Sequence, residues 1–330
     1  GGLRFTEYNA ETPAGAAYGD LLSDVFLALP VMREFLRTHE VRPLPARHNV
    51  LHALMDAYRQ WSGRRDLPRI AILDWREVPT YSEFVVTVDY LRSQGMDAVI
   101  ADPREVEYRG GRLYAEGGPV DVVYKRVLIS ELIEREGMGH PLVRAVSDGA
   151  VCMVNPFRCK ILHKKASLAV LSDERNAHLF TGPETEAIEA HIPWTRVVEE
   201  RRTTHGGSDV DLLPFIAENQ ERMVLKPNDE YGGKGIVLGW EVDRETWEAA
   251  LSMAALEPYI AQERIQLPRE LYPSLENGEA RFAERIVDTA PFIFHGSHMD
   301  GCLTRLSTDS LVNVTAGGGS SLATFIVAPR

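Results

Sequence analysis

Cysteine is scarce in this chain of 330 residues: Cys152, Cys159 and Cys302 are an odd number with no metal-site spacing. This argues against a disulfide framework, and reduced thiols in a cytoplasmic protein are expected. Long apolar runs are also missing. None approaches the ~20 residues of a spanning helix, and no charged-then-apolar leader opens the sequence, so a soluble chain with no membrane partner is expected. Positive charge is in deficit, with 48 acidic against 36 basic residues and a net charge of −12. That field repels a phosphate backbone and argues against nucleic acid as a partner, but it leaves room for lysines gathered in one cleft. Finally, no GxGxxG follows the first buried strand pattern, which disfavours a dinucleotide site there.

What is present is globular material: 44% hydrophobic and 25% charged residues over a length that suggests two or three lobes. "LRFTEYN" alternates like a strand, and residues 14–63 are helical in pattern, broken or kinked at Pro30. Between 66 and 157, "RIAILDW", "DAVIADP", "DVVYKRV" and "GAVCMVNP" read as buried strands separated by helices, with a Gly-Gly hairpin in "VEYRGGRLYAEGG". That alternation predicts an α/β region with a small parallel sheet. Residues 158–222 read as mostly helical, with "HIPWTRVVEE" as a short strand. From 223 onward strands dominate, among them "FIFHGSHMD", and a mixed sheet is expected around one helix, "RETWEAALSMAAL".

The stretch "VLKPNDEYGGKGIVLG" (224–239) carries the most chemistry. A glycine loop between strands lets backbone N–H groups approach a polyphosphate, and Lys226 and Lys234 could place charge on it; a plain hairpin turn fits the same letters. "YIAQERI" sets Gln262 and Glu263 at an apolar strand end, where an adenine edge could be held, or where an edge strand simply alternates. Lys164 and Lys165 stand at the start of a helix, unfavourable with its dipole unless they serve an anion; a solvated pair is the plainer alternative. Glu7 and Asn9 share one strand face and offer hard oxygen ligands suited to Mg²⁺. Glu11 lies on that same face. Arg126 follows the strand "DVVYKR" and could meet a substrate carboxylate at a strand's carboxyl end, or lie on the surface.

Together, a Glu-x-Asn pair, two lysines and a glycine loop between strands resemble the ATP-grasp ligases. The order, with "EYNAETPAG" ahead of "HKKA" and "VLKPNDEYGGKG", is similar to the circularly permuted ATP-grasp group that includes glutathionylspermidine synthase. "LSDE", "HIPWTRVVE" and "LVNVTAGGGS" extend the resemblance over essentially the whole chain. It implies an α/β (α+β) ATP-grasp fold in permuted order with a small parallel-sheet pre-ATP-grasp domain. The implied division is 1–65 for the permuted strand and helices, 66–157 for the small α/β domain, and 158–330 for the nucleotide-binding region. It also implies roles: Lys165, Lys164 and Lys226 on ATP phosphates; Gly232, Gly233, Lys234 and Gly235 in the lid; Gln262, Glu263 and the backbone near Ile265 on adenine; Glu7 and Asn9 on Mg²⁺; Arg305 near the transferred phosphate. Lys226, Arg305 and Arg126 form the expected catalytic set. The implied activity is an ATP-dependent carboxylate–amine ligase acting on small molecules. A relative that binds ATP without turnover, and a phosphotransferase on the same site, are the other readings. The family's further acidic metal ligand, upstream of Glu-x-Asn, has no counterpart in the sequence, so an incomplete metal site is expected. Asn313 and "AGGGS" at 316–320 are candidates for a loop near the phosphates, though such a glycine-rich turn needs no ligand.

Overall fold

The computed structural model describes residues 2–308 and 319–330. Its chain separates into two compact units, Gly1–Ala10 with Arg158–Leu267 and Glu11–Phe157 with Pro268–Arg330.

The second of these units is built on four parallel strands in the order Asp97–Ala101, Arg69–Leu73, Val122–Lys125, Cys152–Val154. Ile70, Ala71, Ile72 and Leu73 are all at most 1% exposed, as a run of apolar residues covered on both faces should be. One face packs on Leu54, Tyr58, Phe84 and Leu91 from the helices Arg47–Ser62 and Tyr81–Ser93. The other packs on Leu132 and Leu142 from Ile129–Glu136 and Pro141–Ser147. The chain leaves Arg69–Leu73 for the strand on one side of it, then returns to Val122–Lys125 on the other. The carboxyl ends of those two neighbours are thus a topological switch point, where connections depart toward opposite faces. A hairpin sheet over Glu107–Arg109, Arg112–Ala115 and Gly118–Val120 follows the Gly-Gly signal. The unit also holds an antiparallel sheet of Arg269–Glu276, Glu279–Phe294, His298–Ser307 and Gly319–Leu322. Proline at the first position of Pro30–Phe35 separates that helix from Ala16–Ala28, since its ring cannot continue the preceding one.

The other unit carries a four-stranded antiparallel sheet in the order Val237–Leu238, Met223–Pro227, Tyr259–Glu263, Thr195–Val197. Leu225, Ala261, Trp247 and Ile216 meet beneath it in one core. The helix Arg244–Ala254 starts where the Asp243 carboxylate accepts from the Thr246 N–H at 2.8 Å.

Three expectations are corrected. From 223 onward every described pairing is antiparallel: Val237–Leu238 and Tyr259–Glu263, which the helix Arg244–Ala254 connects, lie on opposite sides of Met223–Pro227 and so do not pair with each other, while Arg269–Glu276, Glu279–Phe294 and His298–Ser307 follow one another through tight turns. "LRFTEYN" is not a strand: no neighbour among the described residues offers it a ladder, and it is tied instead by the Phe5 N–H to the His191 carbonyl at 2.9 Å. "FIFHGSHMD" is two strands turning at His295 and Gly296, both at positive φ. Asn313 and 316–318 lie outside the described residues. No described helix is long and apolar enough to cross a membrane.

Candidate functional site

The strand Met223–Pro227 is buried at every position. Its apolar residues carry Lys226 into the unit with them. Lys226 is 9% exposed, and its Nζ donates to the Thr6 carbonyl at 3.1 Å and to Gln262 Oε1 at 2.7 Å. Gln262 is fixed in turn by donating from Nε2 to Thr195 Oγ1 at 3.0 Å. Among the described residues no carboxylate pairs with Lys226. Burial pushes its pKa down to about 8; the Glu7 charge opposes that shift and the Lys165 charge adds to it.

Lys165 immediately precedes the helix Ala166–Ser172 and is 5% exposed. Its Nζ donates to the Glu230 carbonyl at 2.5 Å, and its N–H to the Asn228 carbonyl at 3.1 Å. Asn228 also caps the helix through Oδ1, which accepts from the Ala166 N–H at 2.9 Å. The lysine helix and the glycine loop are thereby one structure. Burial lowers the Lys165 pKa, against the charges of Glu7, Asp229 and Glu230. Lys160 stands nearby with Asp229 at 2.7 Å, and Lys164 is half-buried.

Gly232, Gly233 and Gly235 have φ of 66°, 80° and 71°, a region open to glycine and costly for other residues. At Gly235 a Cβ would also stand 3.1 Å from Pro227 Cγ and 3.2 Å from Tyr259 Oη. Lys234 points outward and pairs with Glu230 at 3.2 Å.

Glu7 and Asn9 turn the same way, with Asn9 Nδ2 donating to Glu7 Oε1 at 3.3 Å. No group of three or more His, Cys, Asp or Glu that could hold a metal occurs among the described residues. Two oxygen donors beside buried lysines suit Mg²⁺, whose shell is completed by phosphate and water.

Gln262 and Glu263 part company, because neighbouring residues of a strand face opposite sides. Gln262 faces Lys226, whereas Glu263 pairs with Arg222 at 2.7 Å. Glu263 and Ile265, with Arg4, Ile192 and Trp194, line a cleft of about 530 Å³. The structure therefore brings together Glu7, Asn9, Lys165, Lys226, Gln262 and the glycine loop. Arg126 and Arg305 belong to the other unit, where Arg305 Nε donates to Asp288 Oδ2 at 2.7 Å. Thr195 and Asn228 were missed by sequence reasoning. Asn228 sits in "KPND", where an Asn after the strand was a readable capping signal; Thr195 had no local signal.

A family model described as circularly permuted ATP-grasp type 2 matches residues 1–307. The chain belongs to that family. The permuted ATP-grasp fold expected from sequence is thus shown, and with it a family characterised by ATP binding. This ATP-grasp chain is similar to an uncharacterised protein of Mycobacterium tuberculosis (strain H37Rv), 25% identical over 345 residues covering 100% of this chain and 58% of that protein. It is also similar to "Putative glutamate--cysteine ligase 2-2" of Frankia casuarinae, 23% identical over 337 residues covering 97% of this chain and 36% of that protein. The chain thus spans little more than half the length, or less, of these relatives. Among solved structures, a glutathione synthetase-like effector from Globodera pallida in the apo form superposes with a TM-score of 0.59 at 10% identity, covering 99% of this chain and 68% of that one. At that identity the likeness is one of fold.

Proposed function

We propose that this ATP-grasp chain is an ATP-dependent ligase that joins a small carboxylate to an amine. The observation that carries the reading is the pair of buried ammonium groups, Lys165 and Lys226, which face Glu7 and have no carboxylate ion-pair partner among the described residues. Buried charge of this kind is costly unless an anion meets it, and ATP phosphates supply one. Lys165 and Lys226 bind the phosphates; Lys164 and Lys234 add charge at the rim. Gly232, Gly233 and Gly235 let the loop close over the phosphates and exclude water. Glu263 and Ile265 border the cleft proposed for adenine, with Gln262 positioning Lys226. Glu7 and Asn9 would hold Mg²⁺, which supplies charge neutralisation on the phosphates when bound. Arg305 is proposed to act on the reacting phosphate and Arg126 on the substrate side.

In the reaction, a carboxylate oxygen attacks the γ-phosphorus, the bond to the ADP oxygen breaks, and an acyl phosphate forms. The amine nitrogen then attacks the acyl carbon, phosphate leaves, and the amine proton is lost to solvent. Catalysis here is mainly positioning and charge stabilisation. The name of the Frankia relative supports a carboxylate and an amino acid as the substrate class.

The test is ADP release with Mg-ATP over a panel of carboxylates and amines, with hydroxylamine present in parallel. Release that needs a carboxylate, yields hydroxamate, and falls by about 10²-fold or more in Lys226→Ala is expected. ATP binding by calorimetry with ADP at background for every pair would sink the ligase reading in favour of nucleotide binding alone. Phosphorylated product without hydroxamate would favour a phosphotransferase.

A further inference from the structure

A second group of charged side chains lies at the switch point of the parallel sheet, within the unit Glu11–Phe157 and Pro268–Arg330. Asp74 follows the end of Arg69–Leu73, Lys125 ends the neighbouring strand Val122–Lys125, and Arg126 follows it. The Arg126 and Val127 N–H groups both donate to the Leu73 carbonyl at 2.9 Å, which fixes the two strand ends side by side. Open parallel sheets take ligands at this position.

Four carboxylates gather there against two cations. Glu11 accepts from the Ile129 N–H at 2.6 Å and lies 3.8 Å from Lys125 Nζ. Glu83 accepts from the Gly15 N–H at 2.7 Å and from Arg126 at 3.3 Å. Glu131 accepts from Trp75 Nε1 at 3.2 Å. Asp74 accepts only from its neighbour, the Trp75 N–H, at 2.9 Å, and no donor among the described residues reaches its other oxygen. Asp74 is 8% exposed.

The second observation is Arg126. It is 5% exposed, its terminal nitrogens are engaged by the Pro13 carbonyl at 2.6 Å, Tyr124 and Glu83, and its Nε has no hydrogen-bond partner. A buried N–H without an acceptor is costly. One open acceptor on Asp74 and one open donor on Arg126, in an excess of negative charge, match a ligand that carries an ammonium beside a carbonyl or carboxylate oxygen.

We propose that Asp74 and Arg126 form a binding site for the amino end of an α-amino acid or peptide, with Asp74 accepting from the ammonium and Arg126 Nε donating to the adjacent oxygen. Within the ligase reading, on which its biological meaning rests, this is the amine co-substrate's site. Desolvation raises the Asp74 carboxyl to about 6, against the Trp75 N–H and the Arg126 and Lys125 charges and with Glu131 adding. An ammonium would relieve that burden.

The test needs neither ATP nor turnover. The protein is titrated with the twenty common L-amino acids, their amides, and the matching carboxylic acids without the amine, and followed by calorimetry and by amide ¹⁵N shifts. At least one amine-bearing compound is expected to bind, to shift the Trp75, Arg126 and Val127 amides, and to lose at least tenfold in affinity in the isosteric Asp74→Asn. Its deaminated counterpart is expected not to bind. The wild-type shifts locate the ligand even where a variant fails to fold. Binding that leaves those three amides unmoved, binding retained in Asp74→Asn, equal binding of the deaminated acids, or no binding by any amine overturns the proposal. Amine binding here without ADP release under any condition would uphold the site and sink the ligase; ADP release with an amine that binds elsewhere would do the reverse.

Discussion

At the scale of single residues, Lys226 shows how burial turns an ordinary side chain into one with a use. Its charge is expensive where it stands, and its pKa falls to about 8 for that reason. The folded value lies below the unfolded one, so the charged lysine weakens the fold below pH ~8, and the penalty fades as pH rises toward ~10.4. Phosphate reverses the balance, because it favours the ammonium. Below pH 8 the site is already protonated and ATP affinity should be flat with pH. Above it, ATP binding must take up a proton, and the affinity should fall by up to about tenfold per unit. Calorimetry at pH 9 in two buffers of different ionisation enthalpy would show about one proton taken up in the wild type and none in Lys226→Ala. Uptake that persists in the variant would assign it to another group.

At the scale of elements, the glycine loop and the helix Ala166–Ser172 act together through Asn228. Gly235 combines positive φ with a crowded Cβ position, whereas Gly207, in the hairpin turn between Arg202–His205 and Ser208–Asp211, has φ 79° and nothing within 4 Å. Alanine at either position should cost about 1–2 kcal/mol of stability through backbone strain. Only Gly235→Ala should also weaken ATP, by about tenfold, since its loop carries the carbonyl that holds Lys165. Equal ATP affinity in the two variants, measured on folded protein, would detach the loop from the nucleotide site. The same elements show what a sequence discloses. Strands such as Arg69–Leu73 and Met223–Pro227 were legible because they are short apolar runs between turn signals, and the helix Tyr81–Ser93 because a glycine follows its periodic stretch. The ladder of His39–Pro43 with Phe325–Pro329 joins opposite ends of the chain, and no local pattern announces such a partner. At the site, the residues with charge or glycine were legible. The direction Gln262 takes was not, because which face of Tyr259–Glu263 meets Lys226 is decided by the register against Met223–Pro227.

At the scale of the whole molecule, a net charge of −12 coexists with a unit that concentrates Lys160, Lys165 and Lys226 around one glycine loop. Long-range repulsion of ATP is therefore offset only where those lysines are assembled, and their assembly depends on the fold of one unit. The two units have separate cores, so a ligand should stabilise the one that binds it. ATP at a hundred times its Kd contributes about 2.7 kcal/mol to the folded form that holds it, or about a hundredfold in protection for amides that exchange through opening of that unit. Hydrogen exchange with saturating Mg-ATP should accordingly slow the amides of Met223–Pro227 and Tyr259–Glu263 by up to that factor. The amides of Arg69–Leu73 and Val122–Lys125 should change far less. An amine ligand at Asp74 should produce the opposite pattern in the same experiment. If ATP instead protected chiefly Arg69–Leu73, the phosphates would have to be held away from Lys165 and Lys226, and the assignment of the nucleotide to that unit would fall.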